Sequence, residues 1–138
     1  MRASCLTPQE IEQALKQSGI NPTAQRIAIC RYVLCEADHP TAEEVKHWVD
    51  QNFPKLSLAT VYNTLKILVE VGLLHEVRLP NSDSVRYDHN VEPHHHFLDD
   101  RTGELVDIPA DQVKLEPKLG QQFQVDSVQL LLRGRRVS

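Results

Sequence analysis

Apolar residues recur at helical spacing through the first half of the chain and alternate along short runs in the second. Thr7-Pro8-Gln9-Glu10 is a capping box with proline at the first helical position, which predicts a helix to about Ser18 that Gly19 stops. Asn21-Pro22-Thr23 starts a second helix with Ile27, Cys30 and Leu34 on one face, and His39-Pro40 breaks the chain. Thr41-x-x-Glu44 is another capping box, and Val45, Trp48, Val49 and Phe53 line the helix it opens, which Pro54 ends. Ser57 caps a fourth helix that buries Val61, Leu65 and Leu68 and presents Ala59, Tyr62, Asn63 and Lys66 on the other side, with Gly72 as its stop. Two strand-like runs follow, 74–79 and 84–88, joined by the turn-rich Pro80-Asn81-Ser82-Asp83.

Helix, turn, helix and β-hairpin in that order describe a winged helix, whose second helix of the pair enters the major groove of DNA. The second half is strand-rich. Residues 94–98 and 104–108 read as a hairpin turning at Asp100-Arg101-Thr102-Gly103, and Pro109 ends it. Residues 110–120, interrupted by Pro117 and Gly120, form a helix of at most one to two turns. Residues 123–133 alternate in part and close on Leu130-Leu131-Leu132, which predicts a strand buried on both sides. So short a half is a poor independent core, which predicts pairing with a second copy. The fold class is therefore α+β. A winged-helix DNA-binding domain spans 1–88 and a small α/β dimerisation domain spans 89–138, with the boundary near 88–92.

Composition narrows the function. At 138 residues the chain holds one ordinary domain or two small ones. A net charge of −4 argues against an indiscriminate nucleic-acid binder, and most of the negative balance lies after residue 87, so DNA contact belongs to the first half. Cys5, Cys30 and Cys35 make neither a C-x-x-C pair nor an even framework, which indicates neither a thiolate zinc site nor a disulfide scaffold. Cys30 falls on the apolar stripe and reads as buried filler. No signal peptide or transmembrane run is apparent, so the expectation is a cytoplasmic protein without membrane association.

The chemistry concentrates in residues 87–107, Y-D-H-N-V-E-P-H-H-H-F-L-D-D-R-T-G-E-L-V-D. In a strand, His94 and His96 point one way and His95 the other. Two imidazoles on one face, with Asp88 and Asp107 flanking, begin a mononuclear site for Fe(II), Mn(II) or Zn(II), and five ligands favour the first two over tetrahedral zinc. On local spacing alone a solvated histidine run is an equal alternative.

The assembled motifs resemble the ferric uptake regulator family. They are N-P-T-A-Q-R (21–26), H-P-T-A-E-E-V (39–45), S-L-A-T-V-Y-N-T-L (57–65), V-G-L-L (71–74), R-Y-D (86–88), H-H-H (94–96) and G-E-L-V-D (103–107), and they span nearly the whole chain. The resemblance implies a dimeric winged-helix regulator with a metal site at the hinge between two domains. The family's regulatory ligand positions fall on His39, Asp88, His94, His96 and Asp107. One ion held by all five would favour a closed, DNA-competent arrangement over an open one.

The chain also departs from the family pattern. Most members hold a structural zinc on two C-x-x-C pairs. Here Asp99 and Thr102 occupy the first pair and the last strand has no cysteine, so no four-cysteine structural zinc is expected. His95 and Asp126 stand at positions of a further family site, which puts a second metal in doubt. Aspartate at 107 with Asp88 resembles the peroxide-sensing (PerR-type) branch, in which ferrous iron reacts with hydrogen peroxide and a ligating histidine is oxidised. H-H-H followed by E-L-V-D-I-P also resembles the haem-responsive iron response regulators (Irr-type), whose Cys-Pro element is not matched at Cys5-Leu-Thr-Pro.

For DNA, the outward face of the fourth helix offers Tyr62, Asn63 and Lys66, with Ser57 and Thr60 near its start. Amides suit adenine, tyrosine packs on a thymine methyl, and hydroxyls and lysine suit phosphate. Arg26 reads equally as a phosphate contact or a structural pair. The resemblance implies Tyr62 as a base contact and AT-rich inverted repeats in double-stranded DNA as targets. The leading expectation is a metal-dependent repressor of peroxide-stress or iron-homeostasis genes. The alternatives are a haem-responsive regulator, a metal-binding module without DNA function, and a metalloenzyme, against which the absence of any nucleophile or base motif counts.

Overall fold

The computed structural model describes residues 5–53, 55–80 and 82–137. The expected stop at Pro54, the Asn81 position of the wing turn and the terminal Ser138 lie outside the described residues. The chain divides into two compact units, one ending at Val91 and one beginning at Glu92.

The first unit opens with α1 (Pro8–Gln17), α2 (Ala24–Arg31), α3 (Ala42–Asn52) and α4 (Leu58–Glu70). Thr7 and Thr41 accept the N–H of the residue three positions on, and Glu10 and Glu44 accept the N–H of each cap in return. Each cap stabilises its helix by about 1 kcal/mol. Gly19 (φ 76°) and Gly72 (φ 82°) carry the chain out of α1 and α4 through the left-handed region that side chains disfavour. Val61, Leu65 and Leu68 of α4 are buried, as the spacing predicts, against Ile11 and Leu15 of α1, Ile29 and Cys30 of α2, and Val45 and Val49 of α3. Each fully buried aliphatic side chain contributes about 1.5–3 kcal/mol. Trp48 and Phe53 pack half-buried on the rim.

Strands β1 (His75–Arg78) and β2 (Val85–Asp88) pair antiparallel as the wing, with Val77 opposite Arg86. A bridge between Thr41 and Arg86, and a 2.9 Å bond from the Tyr87 N–H to the Pro40 carbonyl, tie the wing to the start of α3. The result is an α+β winged helix.

Two features of this unit depart from the sequence expectation. The second helix keeps α-geometry only to Arg31 and widens into a π-helical turn at Tyr32–Glu36, within which Val33 and Leu34 remain buried. Cys5 and Cys35 are joined by a disulfide, although their spacing signals no framework. The fold brings the segment before α1 against the π-helical turn, a long-range approach that residue spacing does not encode.

The second unit is a three-stranded sheet in the order β4 (Leu105–Pro109), β3 (His94–Asp99), β5 (Leu131–Gly134). β3 pairs antiparallel with β4 and parallel with β5. The expected helix at 110–120 is reduced to one 3-10 turn, Ala110–Gln112, because Pro117 and Gly120 remove the continuation a longer helix needs. The expected strand at 123–133 contracts to β5, and its leucines are not buried on both sides: Leu131 is half-buried and Leu132 is exposed. β5 is an edge strand, so only one flank is paired within the chain. Leu115, Leu119, Phe123, Val125 and Val128 are likewise exposed.

Candidate metal centre and nucleic-acid interface

His39 sits between the π-helical turn and α3 in a left-handed conformation (φ 47°) with its side chain buried. Its Nε2 lies 3.3 Å from Oδ2 of Asp88, the last residue of the wing and itself buried. On the other side of the ring, Nδ1 lies 2.6 Å from Oδ1 of Asp38. A carboxylate on Nδ1 fixes the proton there and leaves Nε2 as a lone-pair donor, the arrangement typical of metal-ligating histidines. Asp88 is held in turn by the Asn90 N–H, 2.9 Å from Oδ1. The Arg86 guanidinium donates to the His39 carbonyl at 3.2 Å, which holds the backbone of this segment.

In the second unit the β3–β4 register sets His96 opposite Asp107. The alternation of β3 brings His94 and His96 to one face, with their Nε2 atoms 3.1 Å apart and 3.4 and 3.3 Å from Asp107 Oδ1. His94 Nδ1 donates to the Glu92 carbonyl at 2.6 Å, which directs its Nε2 toward Asp107. Neighbouring ligands at about 2.1 Å from one ion lie about 3.0 Å apart in an octahedral site and about 3.4 Å apart in a tetrahedral one. The three atoms therefore fit as one face of a coordination sphere for Fe(II), Mn(II) or Zn(II). The His39–Asp88 spacing fits an edge by the same measure.

His95 points to the other side, is buried, and accepts the Leu130 N–H on Nδ1 at 3.1 Å, so it holds the approach to β5. Asp99 accepts the Arg101 and Thr102 N–H groups on Oδ1 and the Arg136 N–H on Oδ2. These bonds, the one from Arg101 foremost, hold its carboxyl below the usual range.

On α4, Tyr62, Asn63 and Lys66 are exposed on one side, opposite the buried stripe. Lys66 Nζ lies 4.0 Å from Glu70. Ser57 and Thr60 serve the helix start: Ser57 Oγ accepts the Thr60 N–H at 3.1 Å, and the two hydroxyls lie 3.0 Å apart. Arg26 donates to the Asn21 carbonyl at 2.9 Å.

Two partners went unnoticed in the sequence. The Tyr62 hydroxyl donates to Glu43 of α3 at 2.8 Å, a bond to a carboxylate that pushes the phenol pKa up. Asp38 precedes a histidine, as acids often do by chance, and only the left-handed turn aims that histidine's Nδ1 at it.

A sequence profile described as the ferric uptake regulator family matches residues 17–133. The chain belongs to the ferric uptake regulator family. It is 35% identical over 115 residues to a peroxide-responsive repressor PerR of Staphylococcus aureus, covering 83% of this chain and 77% of that protein. A structure of PerR from Streptococcus pyogenes, described as the basis for peroxide sensing and gene regulation, matches with a TM-score of 0.55 at 26% identity, covering 94% of this chain and 90% of that one. The manganese-containing ferric uptake regulator of Pseudomonas aeruginosa shares the fold, with a TM-score of 0.67 at 19% identity over 93% of this chain and 98% of that one.

Proposed function

We propose that this chain is a metal-dependent, DNA-binding transcriptional repressor of the ferric uptake regulator family, PerR-like, that governs peroxide-stress or iron-homeostasis genes from the cytoplasm. The observation that carries this reading is the division of ligand chemistry between the units. A preoriented His39–Asp88 pair stands in the unit with the recognition helix, and a His94–His96–Asp107 face stands in the other. In this proposal one Fe(II) or Mn(II) ion draws on all five side chains, so its binding energy goes into the arrangement that reads DNA. Zn(II) can fill the same set in purified protein. Ferrous iron, when bound, would supply the reducing chemistry toward peroxide, and His94 or His96 would be the side chain oxidised.

The chain's own residues do the rest. Asp38 and the Glu92 carbonyl engage the two Nδ1 atoms and turn the Nε2 atoms of His39 and His94 toward Asp88 and Asp107. Tyr62 and Asn63 read bases, and Lys66, Ser57, Thr60 and Arg26 meet phosphates of an AT-rich inverted repeat. The exposed apolar residues around β5 suit a homodimer, which matches the two-fold symmetry of such a repeat. The recognition helix and the repressor relatives support a regulatory role over an enzymatic one.

The test is operator binding by the full chain under anaerobic conditions with Fe(II), Mn(II), haem or no addition, followed by peroxide. Binding that needs Fe(II) or Mn(II), is lost from the iron form on peroxide, and leaves one added oxygen atom on His94 or His96 supports the proposal. Tight haem binding that abolishes DNA affinity would move the chain to the haem-responsive branch. DNA binding indifferent to every addition would refute metal dependence.

A further inference from the structure

We propose that Cys5 and Cys35 form a reversible thiol–disulfide site, oxidised by hydroperoxides and reduced by dithiols, whose state alters packing around Trp48 in the winged-helix unit. The three cysteines differ in kind. Cys30 is fully buried, and burial pushes its thiol up to about 12, so it offers almost no thiolate at neutral pH. Cys5 and Cys35 are half-buried and already bonded, with Cα atoms 4.8 Å apart. That separation lies in the usual bridging range of about 4.4–6.8 Å, so the backbones stand at bonding distance.

The bridge lies at the edge of the core, with Cys35 half-buried against it. α1 is anchored by Ile11 and Leu15 and by its own capping box, none of which needs the sulfur link. Opening the bond therefore frees a local element and leaves the unit folded. That element is the π-helical turn, a wide-helix geometry often found at functional positions. Tyr32, at the start of the turn, stacks on Trp48 of α3 with ring centroids 4.2 Å apart and an interplanar angle of 7°. Cys35, Tyr32 and Trp48 border one open groove of about 500 Å³, with Arg31 and Pro8, so the bond is reachable from solvent. α3 packs on α4, which gives a short path from the bond to the recognition helix.

The chemistry balances with a hydroperoxide as oxidant. One thiolate attacks an oxygen of the O–O bond, so an S–O bond forms, the O–O bond breaks, and the departing oxide takes up a proton. The second thiolate attacks the sulfenic sulfur, so the S–S bond forms and hydroxide leaves as water after protonation. The two sulfurs lose two electrons and the peroxide oxygens gain two. An external dithiol reverses the reaction through a mixed disulfide and is itself oxidised to a disulfide.

None of this depends on the proposed metal site or on DNA binding, so the experiment stands or falls without them. The full chain is reduced with dithiothreitol, freed of reductant without air, treated with hydrogen peroxide, and compared with Cys5→Ser and Cys35→Ser. Expected are a mass loss of two hydrogens, a linked Cys5–Cys35 peptide pair, and loss of alkylation at both positions. Cys30 stays unlabelled until denaturation. The emission of Trp48, the one tryptophan in the chain, shifts on oxidation and returns with dithiothreitol in the wild type, and in neither variant. Cys5 and Cys35 still alkylatable after excess peroxide, or a bond formed with Trp48 emission unchanged, would overturn the proposal.

Discussion

Removing the Asp38 carboxylate should cripple metal binding while leaving the fold intact. Its side chain is 64% exposed, so neither core packing nor a desolvated charge depends on it, and its loss should change stability by no more than about 0.5 kcal/mol. Yet its Oδ1 lies 2.6 Å from His39 Nδ1 and holds the ring with Nε2 facing Asp88. Outer partners of this kind are worth about 10–100-fold in metal affinity, or about 1.4–2.7 kcal/mol. Asp38→Ala should therefore weaken Mn(II) binding by about that factor. Asp38→Asn keeps an acceptor oxygen but no charge, and should fall between Asp38→Ala and the wild type. Calorimetric Mn(II) titration gives the affinity, and thermal unfolding of the metal-free protein gives the control. Wild-type Mn(II) affinity in Asp38→Ala would refute the ring-orienting argument, as would a loss of affinity accompanied by unfolding.

Three further outcomes are expected. Tyr62→Ala should reduce specific operator affinity by about 1–3 kcal/mol in a gel shift and leave Mn(II) binding unchanged; Tyr62→Phe, which keeps the ring and loses only the bond to Glu43, should reduce it less. Leu65→Ala, at a fully buried position of α4, should destabilise the first unit by about 2–5 kcal/mol in denaturant unfolding. Asp99 is held below its usual pKa by backbone N–H donors, so its contribution is present above the unfolded value and is lost as pH falls through the folded value; stability of the second unit should drop on acidification below about pH 4, and Asp99→Asn should flatten that acid limb.

Features set by neighbours in sequence were legible in advance. Both capping boxes, the glycine stops after α1 and α4, and the inward Val61–Leu65–Leu68 stripe follow from local geometry and helical period. Strand alternation likewise separates His94 and His96 from His95. What escaped depends on long-range approach. The π-helical turn is associated with the Tyr32–Trp48 stack and the Cys5–Cys35 bond, neither of which leaves a periodic trace. The strand expected at 123–133 alternates well enough, but among the described residues only β5 finds a pairing partner there, so apolar alternation marks a surface rather than a ladder. Asp38 and Glu43, the partners of His39 and Tyr62, are ordinary exposed acids in the sequence, and only the fold gives them a role.

The central claim is that one regulatory ion takes ligands from both units, and metal stoichiometry with single-ligand variants tests it most directly. Mn(II) should bind at one regulatory ion per chain, and His39→Ala, His94→Ala and Asp107→Ala should each weaken that same ion by more than about tenfold. Wild-type affinity in His39→Ala alongside abolished binding in His94→Ala would contradict the account, because the ion would then belong to the second unit alone.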